Sequence, residues 1–115
     1  MIHSVYDLPN CDRADASGGE VLDTLLNVAG ILGLTPRTHL IETLDPQGVA
    51  CVVILDRGYM VATTQPGQNF ARVDILTPPA DIPTDEAIHP ILRALGATAA
   101  RARCIPRMLP GKLAR

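Results

Sequence analysis

The stretch VACVVILDRGYMVATTQ, residues 49–65, reads as two strands joined by a tight turn. Residues 49–55 are a continuous apolar run rich in β-branched side chains, the pattern of a buried central strand. Asp56, Arg57 and Gly58 interrupt that run, and glycine takes a positive φ without steric penalty, so Gly58 suits a hairpin connection. Residues 59–65 are the return strand. From Asp56 to Gln65 there is no histidine, cysteine or serine. The turn therefore shows no ready nucleophile where a small enzyme would keep one.

Working outward, DPQG (45–48) and PGQN (66–69) read as the turns that bound the hairpin. FARVDILT (70–77) alternates as a further strand, and TPRTHLIETL (35–44) alternates more weakly. Before them, Val21, Leu22, Leu25, Leu26, Ala29 and Leu32 recur at helical spacing. That helix starts at Ser17 or a neighbouring glycine and stops at Gly33. IHSVYD (2–7) reads as a short first strand, and the polar NCDRADASGG after it as a loop. Beyond the rigid PPADIP (78–83), Thr84 reads as the N-cap of a second helix to Leu95, with Pro90 kinking it or moving its start. ATAARARCI (97–105) reads as a last strand. Helices segregated from a meander of antiparallel strands imply an α+β, two-layer sandwich: an antiparallel sheet with two helices on one face. The expected organisation is a single domain over 1–107 with a C-terminal tail over 108–115.

The 115 residues carry a formal net charge of -2, with 47 % apolar and 19 % charged side chains, the profile of a soluble globular domain. No basic excess points to nucleic acid. Tyr6, Tyr59 and Phe70 are the only aromatics, so the core is aliphatic and a planar ligand has little to stack on. Cys11, Cys51 and Cys104 are far apart and form no CxxC pair, so they read as buried free thiols of a cytoplasmic protein. His3, His39 and His89 show no metal-ligand spacing, and no metal site is expected. The N-terminus lacks the pattern of a signal peptide, and no apolar run is long enough for a membrane span.

Residues 46–77, PQGVACVVILDRGYMVATTQPGQNFARVDILT, resemble the central hairpin of the small bacterial and archaeal S-adenosylmethionine decarboxylases. That family reads Pro-x-Gly-Val, then Glu-Ser-His, then Ile-His-Thr-Trp-Pro-Glu, then Ala-x-Asp-x-Phe-Thr-Cys-Gly. Pro46, Gly48, Val49, Val52, Val53, Thr64, Pro66, Ala71, Asp74 and Thr77 match without a gap. His3 and the pair Cys11-Asp12 repeat the family's early spacing. The resemblance implies the family's two-layer fold, and a homodimer that pairs sheets.

The departures bear on function. The resemblance puts Arg57-Gly58-Tyr59 where family members cut their own chain before a serine that becomes a pyruvoyl group. Glycine has no hydroxyl to attack the preceding carbonyl, so no pyruvoyl cofactor is expected, and no other cofactor is implied. Thr63 stands for a processing histidine, Pro78 for a catalytic cysteine, Gln65-Pro66-Gly67 for Trp-Pro-Glu, and Leu44 for an aromatic.

The candidate ligand-binding residues are accordingly Asp7, Leu44, Arg57, Gly58, Tyr59, Thr63 and Gln65. Tyr59, Asp74 and Cys11 are the candidate catalytic groups if the chain is an enzyme. Each also has a plain structural reading. Asp74 suits a solvated strand face, Tyr59 packing, Arg57 and Arg72 solvent, and Cys11 a thiol with no base adjacent in sequence. Two functional readings stay open. One is a catalytically inactive homologue that binds a small molecule or a partner such as an active paralogue. The other is a repurposed enzyme, a cyclase, isomerase or lyase, using the old pocket. A purely structural interaction module, marked by an exposed apolar sheet face, is a third.

Overall fold

The computed structural model describes residues 1–106. The expected boundary at 107 and the tail 108–115 lie outside the described residues. Six strands form one sheet: β1 (Ile2–Leu8), β2 (Pro36–Thr43), β3 (Val49–Leu55), β4 (Gly58–Gln65), β5 (Phe70–Thr77) and β6 (Arg101–Pro106). Their order is β2-β3-β4-β5-β1-β6, and every neighbouring pair is antiparallel. The meander β2 to β5 follows chain order. The first strand then pairs with the far side of β5, and β6 adds beyond it as the edge.

Helix α1 (Gly18–Ile31) begins in a capping box. The Ser17 hydroxyl accepts from the Glu20 amide at 3.2 Å, and the Glu20 carboxylate accepts from the Ser17 amide at 3.4 Å. Its buried face is Val21, Leu25, Val28 and Ala29. Val28 joins the stripe expected from the periodicity, whereas Leu22 and Leu26 sit partly buried at its edge.

The expected second helix is two short segments, α2 (Thr84–Ala87) and α3 (His89–Ala94). Pro90 lacks the amide that would continue α2, so it falls in the first turn of the next segment instead. Thr84 is the first helical residue rather than the N-cap; Pro83 holds that place, without a side-chain cap bond.

The helices cover one face of the sheet. Inward residues Tyr6, Leu8, Cys51, Val53, Met60, Ala62, Val73 and Ile75 pack with α1 and α3 into one cluster. Strand β3, expected to be buried on both faces, alternates instead, and Ile54 is exposed on the helix-free side. Of the thiols expected to be buried, Cys11 and Cys51 are, but Cys104 is exposed, because β6 is an edge strand. No described helix is long and apolar enough to cross a membrane.

Candidate functional site

The helix-free face of the sheet displays Asp7, Tyr59, Thr63 and Asp74 of the site residues that the sequence singles out. Strand register arranges them in rows. Ile54, Tyr59, Leu76 and His3 lie side by side across β3, β4, β5 and β1. The next row is Val52, Val61, Asp74, Val5 and Arg103, and the one after it Ala50, Thr63, Arg72, Asp7 and Arg101. The face is thus apolar along β3, at Leu40 of β2 and at Val61 of β4, and charged toward β5, β1 and β6.

Two polar pairs cross the charged half. His3 Nε2 lies 3.1 Å from Asp74 Oδ1, bridging β1 and β5 diagonally. Arg72 Nε donates to Asp7 Oδ1 at 2.6 Å, and Arg103 Nη2 approaches Asp7 Oδ2 at 3.7 Å. The Arg72 hydrogen bond holds the Asp7 carboxyl below the usual carboxylate range, against a smaller opposing effect of partial burial. Sequence reading missed these pairings. Period-two alternation puts His3, Val5 and Asp7 on one face of β1, but nothing local says that β1 lies beside β5.

The β3–β4 turn stands at one end of this face. Asp56 fixes it to the residue that leads into β2: its amide donates to the Thr35 carbonyl at 2.8 Å, and its carboxylate accepts from the Thr35 amide at 3.0 Å. Gly58 has a φ of +117°. A Cβ built there would fall on the Leu76 carbonyl oxygen, 2.9 Å from the Leu76 carbonyl carbon and 3.3 Å from Thr77 Cα. Position 58 is therefore closed to a side chain by backbone on the neighbouring strand, not merely without one. Residues at this position do not fit a pyruvoyl group or the serine that would give rise to it. Arg57 lines an open cleft of about 380 Å³ with Leu34, Pro78, Asp81 and Ile82.

The remaining candidates are spread along the sheet. Tyr59 is next to the turn, and Thr63 lies four residues along β4, about 13 Å away. Leu44 and Gln65 line a separate cleft of about 450 Å³ at the far end, with Pro46, Gln47 and Gln68. Tyr59 and Asp74 are diagonal neighbours on the outer face. Cys11 is elsewhere: its thiol donates to the Leu8 carbonyl at 3.2 Å and its amide to Asn69 O at 2.7 Å, beside the start of β5. Burial, and then the Asp12 charge, push the Cys11 thiol up in pKa, so it is a protonated donor rather than a nucleophile.

This arrangement can be compared with known proteins. The family model described as S-adenosylmethionine decarboxylase matches residues 2–108. The chain belongs to the S-adenosylmethionine decarboxylase family. It is 26 % identical over 113 residues to the S-adenosylmethionine decarboxylase proenzyme of Prochlorococcus marinus (strain MIT 9313), covering 97 % of this chain and 90 % of that protein. It is 27 % identical over 106 residues to the proenzyme of Shouchella clausii (strain KSM-K16), covering 91 % and 82 %. The crystal structure of the adenosylmethionine decarboxylase from Aquifex aeolicus VF5 superposes with a TM-score of 0.76 at 20 % identity, over 94 % of this chain and 90 % of the other. That superposition establishes a shared α+β sandwich. Within it, the β3–β4 hairpin carries Gly58 at its turn.

Proposed function

We propose that the chain is a non-pyruvoyl member of its family that works by binding, taking a small molecule or a partner protein on the outer face of its sheet. The observation that carries this reading is Gly58. Both curated relatives are named as proenzymes. At the position where the resemblance puts the maturing serine, this chain has no hydroxyl and no space for a Cβ. The substitutions Thr63 and Pro78 point the same way, because neither supplies a titratable group. The test is release of labelled carbon dioxide from carboxyl-labelled S-adenosylmethionine. The reading expects none above a no-protein control; release that scales with protein concentration would overturn it.

A second copy of the chain is the proposed partner for the apolar half of that face. Leu40, 56 % exposed, shares a row with Val52 and Val61, and Ile54, 41 % exposed, lies in the next row beside Val52 on β3. Aliphatic side chains adjoining across three strands form the contiguous apolar patch that favours association. An active paralogue is the other partner this face suits.

One observation favours the repurposed-enzyme reading. The His3–Asp74 pair beside Tyr59 brings an imidazole, a carboxylate and a phenol onto one face. A carboxylate that orients a histidine is a common general-base arrangement. A turnover lost on Asp74→Asn without loss of fold would establish it; the same turnover unchanged in Asp74→Asn would remove these residues from consideration.

A further inference from the structure

The inner face of the sheet is mostly aliphatic. Among the described residues, the buried polar side chains of the core are Ser4, Thr64 and Thr77. Thr64 has a structural task, since its hydroxyl accepts from the Val49 amide at 2.9 Å. Ser4 (5 % exposed) and Thr77 (3 %) lie together beneath the loop Pro78–Pro83. The Tyr6 phenol, 1 % exposed, adds a third hydroxyl and donates to Asp85 Oδ1 in α2 at 2.6 Å. Cys104 is opposite Ser4 across the β1–β6 pair and sets an exposed thiol at the rim.

Ser4, Thr77, Asp85 and Cys104 line an open cleft of about 270 Å³, with Ile2, Ile82, Thr84 and the loop prolines among its other walls; Tyr6 lies outside the lining and reaches it through Asp85. Asp85 carries the only formal charge among the described residues that line it. Ser4 and Thr77 stand here where the adjoining inner-face positions are Val73 and Ile75, and the Ser4 hydroxyl is hydrogen-bonded to the Tyr6 phenol. Burial, and then Asp85, raise the Tyr6 pKa, so the phenol stays a donor and holds the carboxylate in place.

We propose that this cleft is a ligand site for a small organic monocation. Its N–H donors meet Asp85 and the Ser4 and Thr77 hydroxyl oxygens, and a short alkyl body rests on Pro78 and Ile82. The cleft is on the opposite side of the sheet from His3, Asp7 and Asp74, so the proposal stands independently of the outer-face reading.

The test uses the chain's own thiol. Cys11 and Cys51 are buried, so iodoacetamide alkylation read by mass reports Cys104. The probe is n-butylammonium chloride, with 1-butanol and sodium chloride at matched concentration as controls. Alkylation follows the free fraction of sites, so at twice the dissociation constant the ammonium slows it about threefold, by the factor 1 + [L]/Kd. Both controls leave the rate unchanged, and Asp85→Asn abolishes the protection. Absence of protection, equal protection by 1-butanol, or full protection in a folded Asp85→Asn variant would overturn the proposal. Amide shift mapping on the unmutated protein gives a reading that needs no variant. Shifts caused by n-butylammonium should concentrate at residues 2–6, 77–85 and 101–104, and a pattern centred elsewhere overturns it equally.

Discussion

Gly58→Ser restores the residue type that the family resemblance puts at the hairpin turn, and the structure makes it a damaging change. Two effects add. A side chain at φ +117° is strained, by about 1–3 kcal/mol. The new Cβ also meets the Leu76 carbonyl, which is backbone and cannot swing aside. The Tyr59–Leu76 end of the β4–β5 ladder must open, losing one or two hydrogen bonds at about 1 kcal/mol each. The sum is about 2–5 kcal/mol, a large share of the roughly 5–15 kcal/mol that holds a domain folded. For a chain of this size that lowers Tm by on the order of 10–20 °C. Urea unfolding followed by far-ultraviolet circular dichroism measures it. Gly30→Ala is the control of opposite sign: Gly30 lies within α1 with nothing within 4 Å of an added Cβ. Alanine there should stabilise by about 0.5–1 kcal/mol through helix propensity. A Gly58→Ser loss below about 1 kcal/mol, less than the strain and clash terms require, refutes the geometric argument. So does a Gly58→Ser protein that cuts itself in two.

Three further outcomes follow from named contacts. The Asp7 carboxyl titrates below its ordinary value of 3.8 in the folded protein. Its contribution is therefore present above that value and is lost as pH falls through the lowered one. Between pH 5 and pH 3 the urea midpoint of Asp7→Asn should fall less steeply than that of the unmutated chain, and parallel curves would contradict this. The Tyr6 phenol titrates above its ordinary 10.0, so its contribution is complete below pH 10 and is lost as pH rises beyond it. Tyr6→Phe should cost about 1–3 kcal/mol at neutral pH, the worth of a hydrogen bond to a charged acceptor, and flatten the alkaline loss of stability. Sedimentation velocity should show a dimer that Ile54→Lys converts to a folded monomer; a dimer that survives Ile54→Lys would place the interface elsewhere.

The fold was legible where local signals agreed. The 49–65 hairpin announces itself by an apolar run, a turn ending in glycine and a return strand, and the structure places Leu55 opposite Gly58 as that reading requires. Ser17 with Glu20 marks the start of α1 just as plainly. Pro90 signalled a break, but not that the helix would split into two segments. The partners of the site residues were harder to see. His3–Asp74 joins residues 71 apart in sequence, and Asp7–Arg72 residues 65 apart. Each depends on β1 inserting between β5 and β6, which is a choice of tertiary pairing that no window of sequence contains. The same insertion makes β6 an edge and exposes Cys104, where apolar composition alone suggested a buried thiol. The corner cleft was invisible for a related reason. Ser4, Thr77 and Asp85 look like unremarkable polar residues until register and the loop after β5 gather them.

The most direct measurement is the intact mass of the purified protein after prolonged incubation at neutral pH. An uncut hairpin at Gly58 predicts one species at 12.2 kDa, the mass of the whole chain. Two fragments divided between Arg57 and Gly58, or a carbonyl-blocked terminus beginning at residue 58, would contradict the account.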